Sequence, residues 1–333
     1  MKALVTGASG FIGSHLIEEL GTLGFDVHAL MRASSKSQNL EGLKFRSFEG
    51  DLSDEKSLKK AVKGMDYVFH LAGAISARNE EEFFESNAKG TQRLARATAD
   101  SGARLSRFVF VSSLAAAGPA YSLKPRTEAD PEKPVSDYGK SKLAGERELL
   151  KYKENFPISI IRPPIVYGPK DKGVYSLVKT ITRNLMPILP GSGPGGKRYY
   201  SSIHVRDLCK GIVQAAVVSP AKVPSGEAFF MAADGVHTYE EFLGTIAECL
   251  DRDPLRFRVP KIAVKAAAWG MTGATLITRK TFPLTLDKLN EIFQDYWICS
   301  NSKAKKMLGF APELDLTAGM SDAIRWYKRQ KWI

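Results

Sequence analysis

The chain has 333 residues, 44% of them hydrophobic and 25% charged, a composition that excludes a disordered or fibrous chain. Its net charge is +12, but the excess forms no run of about five or six like charges, so no nucleic-acid stripe is expected. Residues 251–310 hold eleven Lys/Arg against five Asp/Glu and read as a basic lobe, facing solvent or an anionic partner.

Cys209, Cys249 and Cys299 are far apart, without a CxxC pair or a His/Cys cluster. That spacing argues against disulfides and a structural zinc, and no metal is expected. The opening MKALVTGASG meets Gly7 too early for a secretory h-region. The most suspicious uncharged stretch, residues 266–278, is shorter than the ~17–25 residues of a membrane span. These features predict a cytoplasmic protein.

In chain order, apolar runs at residues 2–6, 27–31, 45–48, 67–71, 108–111 and 158–161 predict strands. Segments of helical spacing lie between them, among them 12–23, 81–99 and 138–152. Strands alternating with helices predict an α/β fold with a mostly parallel sheet. After Arg162 prolines break the pattern, and GSGPGGK at 191–197 reads as an exposed loop. Residues 1–165 are expected to bind a dinucleotide. Residues 166–333 are expected to form mainly a smaller substrate lobe, with segments returning to the core.

The strongest local signal is TGASGFIG at residues 6–13. Gly7 permits the tight turn, Gly10 lets backbone approach a pyrophosphate, and Gly13 lets the helix pack closely on the sheet. Phe11 and Ile12 belong to the same turn. The free N–H groups of the helix start suit phosphates.

Further motifs follow in a fixed order. They are Asp51-Leu52, His70-Leu71-Ala72-Gly73, NAKGT from Asn87 to Thr91, Ser112-Ser113, YGKSK from Tyr138 to Lys142, IRPPIVYGP with Pro163 and Ile165, IHVRDL, and SKAKKMLGF. Together with the Gly-x-x-Gly-x-x-Gly turn, they resemble the extended short-chain dehydrogenase/reductases, the epimerase/dehydratase family. The motif style is similar to dihydroflavonol-reductase-type and 3β-hydroxysteroid-dehydrogenase-type members. The resemblance spans essentially the whole chain. It implies a doubly wound Rossmann sheet and cofactor contacts from Asp51, Leu52, Leu71, Ala72, Gly73, Asn87, Pro163 and Ile165. It also implies a catalytic Ser113, Tyr138 and Lys142, the last two also touching the cofactor.

Tyr138 and Lys142 share one helix face. A phenol with pKa near ~10 needs a neighbouring ammonium and the oxidised nicotinamide to favour its phenolate. The same spacing recurs at Tyr175/Lys179 and Tyr327/Lys331, which read as solvated helix faces. Ser112 reads as a cofactor or backbone contact. Met31 stands where NAD-dependent members carry Asp or Glu, and Arg32 with Ser34, Ser35 and Lys36 suits a 2′-phosphate. NADP is therefore expected, with NAD possible.

Nucleotide-sugar members carry Asn where this chain has Ile165 and Arg where it has Tyr200, with Arg198 displaced. A low-polarity carbonyl or secondary alcohol is therefore the expected small-molecule substrate. The alternatives are a nucleotide-sugar epimerase/dehydratase with a recycled cofactor, and a non-catalytic NAD(P)-binding regulator. Trp269, Met271, Leu276 and Ile277 read as ordinary core, or as the wall of an apolar pocket. The family also implies a homodimer through helices 81–99 and 138–152. Phe84, Ala88, Thr91 and Ala95 are the expected stripe on the first helix, with Leu143, Arg147 and Leu150 on the second.

Overall fold

The computed structural model describes residues 1–102, 104–278, 282 and 284–333. Its strands are β1 (Lys2–Thr6), β2 (Asp26–Met31), β3 (Arg46–Glu49), β4 (Tyr67–His70), β5 (Arg107–Val111) and β6 (Ile158–Arg162), then the shorter β7 (Ile165–Tyr167), β8 (Leu185–Ile188), β9 (Tyr199–Tyr200), β10 (Ser202–His204), β11 (Glu227–Phe230), β12 (His237–Thr238), β13 (Leu255–Arg258) and β14 (Tyr296–Trp297). Helices α1 (Phe11–Thr22), α2 (Glu55–Val62), α3 (Glu80–Phe84), α4 (Gly90–Asp100), α5 (Leu114–Ala117) and α6 (Asp137–Leu150) lie in the first half. The second half adds α7 (Gly173–Ile181), α8 (Val205–Val217), α9 (Tyr239–Leu250), α10 (Lys261–Thr278), α11 (Leu286–Ile292), α12 (Ser302–Leu308) and α13 (Leu316–Arg329).

Seven strands form one parallel sheet in the order β11-β6-β5-β4-β1-β2-β3. Chain order reverses between β1 and β4. In such sheets the crevice beyond the strand ends at that point takes the ligand. The central strands are largely apolar because helices cover both faces. One face packs Leu16 of α1 and Ile212 of α8 against Val5 and Val109. The other packs Leu58 of α2, Leu94 of α4 and Leu149 of α6 against Leu4 and Phe108. A third core, holding Phe242, Ile246, Met320 and Tyr327, joins α7, α9 and α13 away from the sheet.

The chain beyond residue 165 returns to the sheet as α8, as the edge strand β11 and as α12, whose Ala304 and Leu308 join the first core. Asp207 of α8 fixes this return by accepting the N–H groups of Glu313 and Leu314 at 3.0 and 2.9 Å. The IHVRDL segment therefore works as a staple.

Two expectations are corrected here. Ala88, Thr91 and Ala95 are already buried within the single chain while Phe84 is half-buried, so three of the four residues expected to form a dimer stripe pack inside the chain, Thr91 and Ala95 of them toward the sheet. Beside this stripe, Arg93 and Lys89 pair with Glu85, and Gln92 donates to Glu148 of α6. Nor are the two other Tyr-x-x-x-Lys pairs simply solvated faces. Tyr327 is fully buried, and the Tyr175 hydroxyl donates to the Trp332 carbonyl at 2.6 Å. Among the described residues, no helix is long and apolar enough to cross a membrane, and no cluster of acidic, His and Cys side chains could hold a metal.

Candidate active site

β1 ends at Thr6 and the chain turns at Gly7 with φ of 71°, a left-handed conformation that favours glycine. A Cβ there would come within 2.7 Å of the Ala72 nitrogen. A Cβ on Gly13 would lie 2.2 Å from the Gly7 carbonyl oxygen. These glycines seat α1 directly against the turn, and no side chain caps the helix at Gly10. Its first N–H groups are left for an anion in the crevice.

That crevice is a cleft of about 790 Å³. Gly7, Gly10, Phe11, Ile12, Gly13, Arg32, Asp51, Leu52, Leu71, Ala72, Gly73, Tyr138 and Lys142 border it. Ser113, Asn87, Pro163 and Ile165 do not, and Ser113 meets the cleft through the Tyr138 phenol that it hydrogen-bonds. Ile165 instead packs toward the α7–α9–α13 core, and the Pro163 carbonyl accepts the Leu114 N–H at 2.8 Å. Asn87 is buried, and its amide is fully used. Oδ1 accepts the Ala74 N–H at 2.7 Å, while Nδ2 donates to the Ala74 carbonyl at 3.0 Å and to Ser141 Oγ at 2.9 Å. It ties the loop after β4 to α6, and a Cβ on Gly73 would sit 2.6 Å from Oδ1.

A directional hydrogen-bond chain braces the same loop. The Thr91 hydroxyl donates to the Asn87 carbonyl at 2.6 Å, so its oxygen accepts from His70 Nε2 at 2.9 Å. Nδ1 then accepts from the Thr6 hydroxyl at 2.7 Å, which takes the Ala72 N–H at 3.2 Å. Burial drives the His70 pKa down to about 3, helped by the Lys142 charge. The ring is therefore neutral, its proton is fixed on Nε2, and its role is structural.

α6 begins at the Ser136 cap, whose oxygen accepts the Gly139 N–H at 3.0 Å, and this start sets Tyr138 at the cleft. Ser113, the cap of α5, hydrogen-bonds the Tyr138 phenol. Burial pushes that phenol up to about 12; the Ser113 bond opposes the shift and the Glu291 carboxylate adds to it. Lys142 lies one turn deeper, with Nζ donating to the Val111 carbonyl at 2.8 Å and 4.3 Å from the centre of the Phe110 ring. Burial lowers it to about 8, partly countered by the Glu146 carboxylate. In the free protein burial therefore outweighs the expected acidifying effect of the ammonium on the phenol.

Ser112 borders the cleft, and its hydroxyl donates to Glu146 at 2.5 Å. Glu146 also receives both Nε (3.0 Å) and Nη2 (2.5 Å) of buried Arg162. This ion pair underlies the Ser-Ser strand end, and sequence reasoning missed it, since each charge stood alone in its own segment.

The cofactor's groups fit what is present: an uncapped helix start behind glycines for a pyrophosphate, and Arg32 with Ser35 at the cleft edge beyond β2. Arg93 and Ile75 also border the cleft and were not anticipated; Arg93 lies one turn past Lys89 in the NAKGT segment. Arg198 is buried and spent on backbone carbonyls, those of Pro190, Ile292 and Gln294. Trp269 is 68% exposed, so it forms neither core nor pocket wall. The side chains of Leu276 and Ile277 lie outside the described residues.

A doubly wound parallel sheet whose glycine turn opens on a cleft with a Ser–Tyr–Lys group defines an enzyme that works through a bound dinucleotide. Residues 3–231 match the model of the NAD dependent epimerase/dehydratase family, and the chain belongs to that family. It is an NAD(P)-dependent oxidoreductase. It is 28% identical over 329 residues to a ceramide reductase of Caulobacter vibrioides, covering 99% of this chain and 95% of that one. It is 26% identical over 346 residues to the Homo sapiens sterol-4-alpha-carboxylate 3-dehydrogenase, decarboxylating, covering 100% and 90%. Among solved structures, a UDP-glucose 4-epimerase of Thermotoga maritima superposes with a TM-score of 0.79 at 22% identity, covering 99% of this chain and all of that one.

Proposed function

We propose that the protein reduces a ketone or aldehyde of low polarity to the alcohol, with NADPH as the donor. When bound, the dinucleotide supplies or takes a hydride. Ser113 orients the substrate oxygen by hydrogen bonding, and the Tyr138 phenol gives it a proton. Lys142 holds the ribose hydroxyls of the cofactor and sets the local positive charge. Arg32 and Ser35 receive the 2′-phosphate, since no carboxylate ends β2.

The observation that carries the substrate class is Arg198. Its guanidinium donates to the carbonyls of Pro190, Ile292 and Gln294, so it is closed to the diphosphate of a nucleotide sugar. The names of the ceramide and sterol relatives support an apolar carbonyl compound. The Ser113–Tyr138–Lys142 grouping supports catalysis over a purely cofactor-binding role.

The test is net oxidation of NADPH by the purified protein, with a panel of long-chain and polycyclic ketones beside UDP-sugars. Stoichiometric consumption with an apolar ketone is expected. Turnover of a UDP-sugar without net consumption would overturn the reading in favour of an epimerase.

A further inference from the structure

Among its described side chains, α10 is attached to the protein by one stripe. Val264, Ala268 and Thr275 are buried, and the first two pack with Leu289 of α11. Thr272 Oγ1 accepts the Leu286 N–H at 3.2 Å, fixing how the helix is turned. The opposite face carries Ile262, Ala266 and Trp269, at the i, i+4, i+7 spacing of one helix side. All three are exposed, Ile262 by 77% and Trp269 by 68%. An amphipathic helix ordinarily turns such a face inward, and here it is turned out. β13, just before it, adds exposed Leu255 and Phe257.

Glu240 borders β13 beside Arg256, Phe257 and Arg258, but the charges next to this face along the chain are of one sign. From Pro254 to Leu286 the sequence contains no acidic residue, while Arg256, Arg258, Lys261, Lys265, Arg279 and Lys280 are all basic. Exposed aromatic and aliphatic side chains flanked by cations match the boundary between acyl chains and anionic headgroups. The uncharged part of the helix is too short to span a bilayer. We infer that the outer face of α10, with the basic residues flanking it, docks on the surface of a bilayer containing anionic lipid, the helix lying in the interface plane.

The docked face is coupled to the cleft through one intervening helix. α11, on which α10 packs, holds the start of α6: Asp287 accepts the Asp137 N–H at 2.9 Å, and Glu291 accepts the Ser136 hydroxyl at 2.5 Å. Tyr138 is the next residue. Docking would thus bring the active-site side of the lobe to the membrane, where a low-polarity ketone resides. Only this delivery role rests on the function proposed above; the docking itself does not.

Cosedimentation of the full-length protein with vesicles tests it without reference to catalysis. Wild type should pellet with phosphatidylcholine–phosphatidylglycerol vesicles, weakly with phosphatidylcholine alone, and less as salt rises. Ile262→Asn/Trp269→Glu and, separately, Arg258→Glu/Lys261→Glu should each lower vesicle partitioning by about 10-fold or more. Both pairs are exposed, so the melting temperature and turnover of a short water-soluble ketone should stay at wild-type values. If wild type does not pellet, or either pair pellets like wild type, the inference fails. Sedimentation velocity covers the other occupant: a wild-type dimer split by Ile262→Asn/Trp269→Glu, without vesicle binding, would make this face a contact between copies and also overturn it.

Discussion

Two segments of the chain carry the same Tyr-x-x-x-Lys spacing in opposite surroundings. In α6, Tyr138 is hydrogen-bonded by Ser113 and borders the cleft, while Lys142 is buried against the Val111 carbonyl. At the end of α13, Tyr327 lies in a separate core and donates to the Gly168 and Asp171 carbonyls at 3.2 and 3.0 Å. Its Lys331 is exposed and past the helix, at φ of 56°. The two phenols are both raised by burial, so an altered pKa does not separate them. What separates them is the setting: a serine-bonded phenol on an open cleft in one case, closed backbone carbonyls in the other.

The largest effect should come from removing each phenol. Tyr138→Phe should keep cofactor binding and lower turnover by about 10²–10⁴-fold, the range for a positioned proton donor. Tyr327→Phe should leave turnover unchanged and cost about 1–3 kcal/mol of stability by removing the donor to the Asp171 carbonyl, the Gly168 carbonyl keeping the Asp171 N–H. Steady-state kinetics beside urea unfolding of both variants checks the pair. Equal losses of turnover would abolish the distinction.

Next is the ion pair beneath the Ser-Ser strand end. Arg162→Met leaves the Glu146 carboxylate buried without its cation, which should cost about 3–5 kcal/mol. Adding Glu146→Gln should restore much of it, because the stranded charge is then gone. Chemical denaturation of the single and double variants reads this directly. The double variant should also change the surroundings of Lys142, for which Glu146 is the opposing charge.

A smaller effect is expected at the cofactor's far end. Arg32→Ala should weaken NADPH by about 1.5–3 kcal/mol, the range for a hydrogen bond to a charged group, and leave NADH nearly unchanged. Calorimetric titration with both nucleotides checks this, and equal losses would remove Arg32 from the 2′-phosphate.

The sheet was largely legible in the sequence because its strands are buried on both faces. Their apolar runs are near-continuous, and the predicted 27–31 and 45–48 differ from β2 and β3 by one residue. β11 was not marked, since EAFF is a four-residue edge strand that starts on a charge. The glycine turn was legible because its close approaches exclude any Cβ. Asn87 was legible as part of the NAKGT helix, but its spacing does not reveal that the Ala74 backbone uses its amide. The Ala88–Thr91–Ala95 stripe misled because helical periodicity cannot tell a face that covers its own sheet from one that meets another subunit. Trp269 failed in the reverse sense, since apolar composition does not reveal which side a helix turns inward.

The smallest effect, and the one that best isolates α6, is a pair of opposite pH dependences at Lys142. Burial lowers this ammonium to about 8, and the proposed mechanism uses it charged. kcat/KM for ketone reduction should therefore fall above about pH 8, approaching tenfold per pH unit. The neutral His70, titrating only near 3, adds nothing in that range. Stability should move the other way. The unfolded lysine keeps its proton up to its ordinary value of 10.5. Between about 8 and 10.5 the unfolded chain therefore binds more protons at this site, and Lys142's contribution to stability rises with pH. Cys209 and Cys299, raised by burial, oppose this as their unfolded thiols ionise, so the quantity to measure is the difference between wild type and Lys142→Met. Wild type should gain on the variant as pH rises through this window, while its own reductase activity declines. Parallel loss of both would show that the alkaline limb reports unfolding of α6 rather than discharge of its lysine.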